Sequence, residues 1–156
     1  MDNLLKPDVK RYDMQGWTFS LYEDSRGTLW GGTWGSGLWR FNDESDSFDY
    51  YVTDGSNPNS LGDNIVWSMG EDSYGNLWIG GHSNGLSIIP REDVNKKNPR
   101  FFIFNQIKED PSSVSNNTIN SIYCDPDGNM WLGTGRGLNK WNYNAAVIER
   151  ITDKTK

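Results

Sequence analysis

The chain has 156 residues and a net charge of −6, from 15 Lys and Arg against 21 Asp and Glu. That length suits one packed domain. The acidic balance excludes nucleic acid and anionic membrane surfaces as partners, because binding to phosphate draws on a positive surface and on released counterions. Two alanines against 17 glycines, 17 asparagines and 8 tryptophans argue against a helical bundle, since Gly and Asn interrupt helices while aromatic residues suit pleated sheets. No apolar run reaches the length of a membrane span, and MDNLLKPDVKR lacks the apolar core of a secretory signal, so the chain is read as soluble as it stands. A single cysteine, Cys124, excludes an internal disulfide and leaves the compartment open.

In chain order, residues 1–16 contain DVKRYDMQ, which reads as the tail of the last strand of a preceding unit. FSLYED (19–24) and TLWGG (28–32) are predicted to pair as a hairpin, followed by strands at LWRF (38–41) and SFDYYV (47–52). After the polar loop DGSNPNSLGDN (54–64), the same order returns as VWSMGED (66–72), NLWIGG (76–81), LSII (86–89) and RFFIFN (100–105). The loop EDPSSVSNNT (109–118) leads to INSIYCD (119–125), NMWLGT (129–134), LNKW (138–141) and AAVIERI (145–151). Short aromatic and β-branched runs bounded by Gly, Asn and Asp are strand signals. Three consecutive sets of four give blades at about 17–62, 63–116 and 117–156.

The repetition is tighter than composition alone requires. Asp24-Ser-Arg-Gly-Thr-Leu-Trp30 recurs as Asp72-Ser-Tyr-Gly-Asn-Leu-Trp78 and as Asp125-Pro-Asp-Gly-Asn-Met-Trp131, at spacings of 48 and 53 residues. Asp can accept backbone N–H groups in such a turn, and Gly27, Gly75 and Gly128 can supply a positive φ. Each Trp is followed by a glycine-rich stretch and Gly-Leu. A residue that every unit shares is best explained by packing between units. That is the expectation for Trp30, Trp78 and Trp131, and for the aligned aliphatics Leu21, Met69 and Ile122.

With NSLGDNIVWSMGED and SVSNNTINSIYCD leading into Asp-x-x-Gly-x-[Leu/Met]-Trp, the pattern resembles the two-component regulator propeller repeat. The resemblance implies a multi-bladed β-propeller in the periplasmic sensor region of a bacterial hybrid two-component system. It further implies ligand recognition without catalysis, and an oligosaccharide as the ligand. Such sensors carry many blades where this chain has three. It is therefore expected to be an open fragment that joins neighbouring blades of a longer parent, or to self-associate, most simply as two copies closing a six-bladed ring.

Positions where the units differ are the candidate ligand contacts, since the fold does not demand them. They are Trp34 and its counterpart His82, Arg136 in the shortened third loop, Asn64 and Asn117 in the loops between units, and Trp39 where the other units have Ser87 and Asn139. Trp67, aligned with Asn120, is a further variant position. A flat indole stacks on the apolar face of a sugar, while Asn, His and Arg satisfy its hydroxyls. His82 is the only histidine, so a multi-histidine metal site is excluded. DPDGN (125–129) departs from a calcium loop at Met130 and Arg136. No cofactor is expected. Two other functions fit a propeller: a protein-interaction scaffold, and, ranked last, a lyase-type enzyme with His82 as its base.

Overall fold

The computed structural model describes residues 9–143 and 147–151. Twelve strands and no helix occur among them: β1 Trp17–Glu23, β2 Leu29–Trp34, β3 Leu38–Asn42, β4 Ser47–Tyr51, β5 Val66–Glu71, β6 Leu77–Gly81, β7 Leu86–Ile89, β8 Phe102–Phe104, β9 Ile119–Cys124, β10 Met130–Thr134, β11 Gly137–Asn142 and β12 Val147–Ile151. They form three antiparallel sheets, ordered β1-β2-β3-β4, β5-β6-β7-β8 and β9-β10-β11-β12. Each is a four-stranded meander, the form of a propeller blade. The two alanines expected at the start of the last strand lie outside the described residues, as do residues 1–8. Residues 9–16 contain no strand. They run over the outer part of the first blade, where Tyr12 meets Phe41 and Phe48 edge-on at 5.8 and 5.3 Å and the Gln15 N–H donates to the Tyr50 hydroxyl at 3.2 Å.

The shared motif is a closed device within one hairpin. Asp24 Oδ1 accepts the backbone N–H groups of Arg26 and Thr28, each at 3.0 Å, while Oδ2 accepts the Trp30 indole N–H at 3.0 Å. Asp72 and Asp125 repeat this with Trp78 and Trp131, both at 2.8 Å. The turn glycines adopt φ of +81°, +84° and +83° at Gly27, Gly75 and Gly128, a region costly for any side chain with a Cβ. One carboxylate therefore shapes the turn and aims the indole.

The indoles fill the spaces between blades. Trp30 is fully buried in a cluster that includes Met69 from the second blade, and Trp78 lies in a cluster with Ile119 and Ile122 from the third. Ser68 Oγ donates across to the Ile119 carbonyl at 3.0 Å. A Cβ on Gly80 would come within 2.7 Å of that same carbonyl, so the second strand needs glycine there for the blades to approach. The common packing role expected of the three tryptophans and three aliphatics holds only where blades meet. Trp131 is half-buried, and Leu21 is 63% exposed, because each faces away from the other two blades.

The Asp125 carboxyl is depressed from 3.8 to about 2, chiefly by the Trp131 indole N–H, aided by Asn129 and backbone N–H groups. A folded value below the unfolded one means that its contribution to stability is complete above about pH 4 and is lost as pH falls through the folded value. Thermal unfolding followed between pH 4 and 2 should therefore show a falling midpoint whose slope is reduced by Asp125→Asn. An unchanged slope would remove Asp125 from the acid response.

Candidate functional site

Two kinds of loop meet at one end of the blades: those joining the second and third strands, and those joining one blade to the next. The Gly35 and Gly37 N–H groups donate to the Asn64 carbonyl at 3.0 and 2.9 Å, Gly85 to Asn117 at 2.9 Å and Gly135 to Thr118 at 3.0 Å. The loop that carries Trp34 is braced by Thr33, whose Oγ1 donates to the Gly37 carbonyl at 2.8 Å and accepts the Ser36 N–H at 3.0 Å. In the second blade this threonine is replaced by Gly81, and Asp63 takes over the brace, with Oδ2 accepting the Ser83 and Asn84 N–H groups at 2.6 and 3.1 Å.

These braces present a cluster of four rings. Trp34 lies 5.5 Å from Phe19, 5.4 Å from Trp67 and 6.2 Å from His82, and Trp67 lies 5.6 Å from both Phe19 and His82. The Trp67 indole N–H donates to His82 Nδ1 at 3.0 Å, which leaves the histidine proton on Nε2, free to meet an acceptor. Trp34 is 46% and Phe19 50% exposed, so solvent-facing ring surface is available at the mouth.

Of the residues singled out from sequence, Trp34 and His82 are brought together here. Arg136 is exposed on the third-blade loop with its backbone N–H on Thr134 Oγ1 at 3.1 Å, and it is not part of the ring cluster. Asn64 and Asn117 have their side chains engaged in the loops themselves. Asn64 accepts the Thr53 N–H at 2.9 Å and donates to Thr53 Oγ1 at 3.0 Å, and Asn117 accepts the Gln106 N–H at 2.6 Å.

Trp39 is buried, 3% exposed, and so offers no ring surface at the mouth. Its ring covers Gly31, meets Phe48 at 5.1 Å and donates to Thr18 Oγ1 at 3.3 Å. Its counterparts show why an indole fits there. Ser87 Oγ and Asn139 Oδ1 each accept an N–H from the loop entering their blade, Gly62 at 3.2 Å and Ser115 at 3.0 Å, whereas Trp39 fills the corresponding space with its own ring. Phe19 is the mouth residue that sequence reading missed. The signal was present, because Phe19, Trp67 and Asn120 share one repeat position and differ.

At the opposite end, where the motif turns lie, a cavity of about 510 Å³ opens between blades and is lined by Tyr22, Ser25, Arg26, Glu71, Tyr74 and Cys124 among others. Burial raises the Cys124 thiol, with nearby Asp72 and Asp125 adding to the effect. Burial likewise raises the Tyr143 hydroxyl, assisted by its bond to Asp72 Oδ2 at 2.8 Å.

The model of the two-component regulator propeller matches residues 60–83 and 113–136. Both stretches run from an inter-blade loop through two strands and the Asp–Trp hairpin to the mouth loop. The chain carries two-component regulator propeller repeats. Histidine kinase P4 of Formosa agariphila is 34% identical over 98% of this chain, which spans 14% of that kinase. The extracellular domain of the hybrid two-component system BT3049 from B. thetaiotaomicron superposes with a TM-score of 0.78 at 21% identity, over 94% of this chain and 20% of that one. The extracellular domain of BT4673 from the same organism gives 0.67 at 24% identity, over 86% and 18%. At these identities the two structures speak to the fold of the propeller repeats, and the chain spans a fifth or less of each relative.

Proposed function

We propose that these propeller repeats form part of the ligand-sensing region of a hybrid two-component kinase on the outer side of the cytoplasmic membrane, and that the ring cluster at the mouth receives an oligosaccharide without transforming it. The observation that carries this reading is the contact of Phe19, Trp34, Trp67 and His82 at centroid distances of 5.4 to 6.2 Å. These aromatic side chains sit where the repeat itself does not require them, and two of them expose about half their surface. Indole faces stack on the C–H faces of pyranose rings, and the His82 Nε2–H supplies a hydrogen bond to a hydroxyl. The sensing role is supported by the similarity to a histidine kinase over 98% of this chain. The outer location is supported by the extracellular origin of the similar structures.

Titration calorimetry against a panel of oligosaccharides tests this. Loss of one stacking face in Trp34→Ala should weaken binding roughly tenfold, about 1.4 kcal/mol, with Arg136→Ala weakening it less. A sugar that binds equally well to Trp34→Ala and His82→Ala would place its site elsewhere. If no sugar binds, the mouth is left to a protein partner.

A further inference from the structure

The motif turn of one blade is latched to the innermost strand of the next, and the partners of this latch change along the chain. Between the first and second blades, Glu71 at the end of β5 accepts the Ser25 backbone N–H at 2.6 Å, the Ser25 hydroxyl at 2.8 Å and the Arg26 guanidinium at 3.0 Å. Arg26 also donates to the Gly75 carbonyl at 2.9 Å. Between the second and third blades, Cys124 stands at the position of Glu71 with the Ser73 backbone beside it, and its thiol donates to the Asp125 carbonyl at 3.7 Å. Tyr74, at the position of Arg26, turns instead to Tyr143, with ring centroids 5.1 Å apart. An anionic strand end thus meets a cationic turn, and an uncharged strand end meets an uncharged one.

The two outer members of this series are Glu23, the counterpart of Glu71 on the first blade, and Pro126-Asp127, the counterpart of Ser25-Arg26 on the third. Pro126 has no N–H to donate, and Asp127 would set a second carboxylate against Glu23. Glu23 is exposed, and beside it Leu21 lacks the tryptophan that covers its counterparts Met69 and Ile122. A ring made from two copies of this chain would oppose these two mismatched ends.

We propose that the exposed face of the first blade docks a blade of the same repeat type whose motif turn offers a backbone or hydroxyl donor and a cationic side chain, and that the latch pair selects against the third blade of a second copy. The selectivity is independent of what the mouth binds.

The full chain supplies its own probe. Pro126→Ser combined with Asp127→Arg rewrites the third turn as Ser-Arg, and self-association is then measured by sedimentation equilibrium at low ionic strength. The expected result is association at least tenfold tighter than that of the unaltered chain, with the gain abolished by Glu23→Ala. Equal association of the two chains, including none in either, overturns the proposal, as does a gain that survives Glu23→Ala. Should the double variant fail to fold by circular dichroism, Asp127→Arg alone carries the same comparison with the same dependence on Glu23.

Discussion

Replacing Trp78 with Ala should destabilise the protein by about 3–5 kcal/mol in urea unfolding, the range for deleting a fully buried large aromatic side chain. The same change at Trp131 should cost markedly less, although the same Asp-x-x-Gly-Asn-x-Trp spacing surrounds it. Trp78 is 1% exposed, meets Trp141 edge-on at 5.0 Å and bonds to Asp72. Trp131 has the same carboxylate bond but is less completely covered, with Lys140 Nζ 5.2 Å above its ring. Equal costs at the two sites would mean that most of the indole's contribution comes from its own hairpin and little from the neighbouring blade.

Removal of Asp72 should be as damaging as removal of the tryptophan it holds. Its carboxylate, 5% exposed, accepts the backbone N–H groups of Tyr74 and Asn76, the Asn76 amide, the Trp78 indole and the Tyr143 hydroxyl. Asp72→Ala leaves all five donors without their acceptor. With charge-assisted bonds each worth about 1.5–3 kcal/mol and partial rescue by water at the turn, a net loss of about 3–5 kcal/mol is expected. Asp72→Asn, which keeps one carbonyl acceptor, should lose less. The check is the unfolding midpoint of the two variants. A loss below about 1 kcal/mol for Asp72→Ala would show that solvent replaces the carboxylate at this turn.

All twelve strands were legible in the sequence because the constraints that define them act over a few residues. Asp, Gly and Trp of the motif touch one another within a single hairpin, so their spacing carries the structure. The mouth was legible only in part. Variation between repeats pointed to Trp34 and His82, whose rings the fold brings together, but it also pointed to Trp39, whose departure from Ser87 and Asn139 reflects a hydrogen bond replaced by packing. Asn64 and Asn117 looked like free polar groups because their partners, Thr53 and Gln106, lie eleven residues away across a loop with no periodicity. Nor could matching motifs reveal the unequal burial of Trp30 and Trp131, which depends on which blade stands beside each.

The bond from Asp to Trp joins residues only six positions apart in all three hairpins, and this bears on how the chain acquires its structure. Closing so short a loop takes little entropy, and contacts that are local in sequence form early. Each hairpin can therefore seal its carboxylate against its indole before any blade has a neighbour, so that folding has three separate starting points. Growth of the array then propagates from these local starting points as each blade stacks on its neighbour.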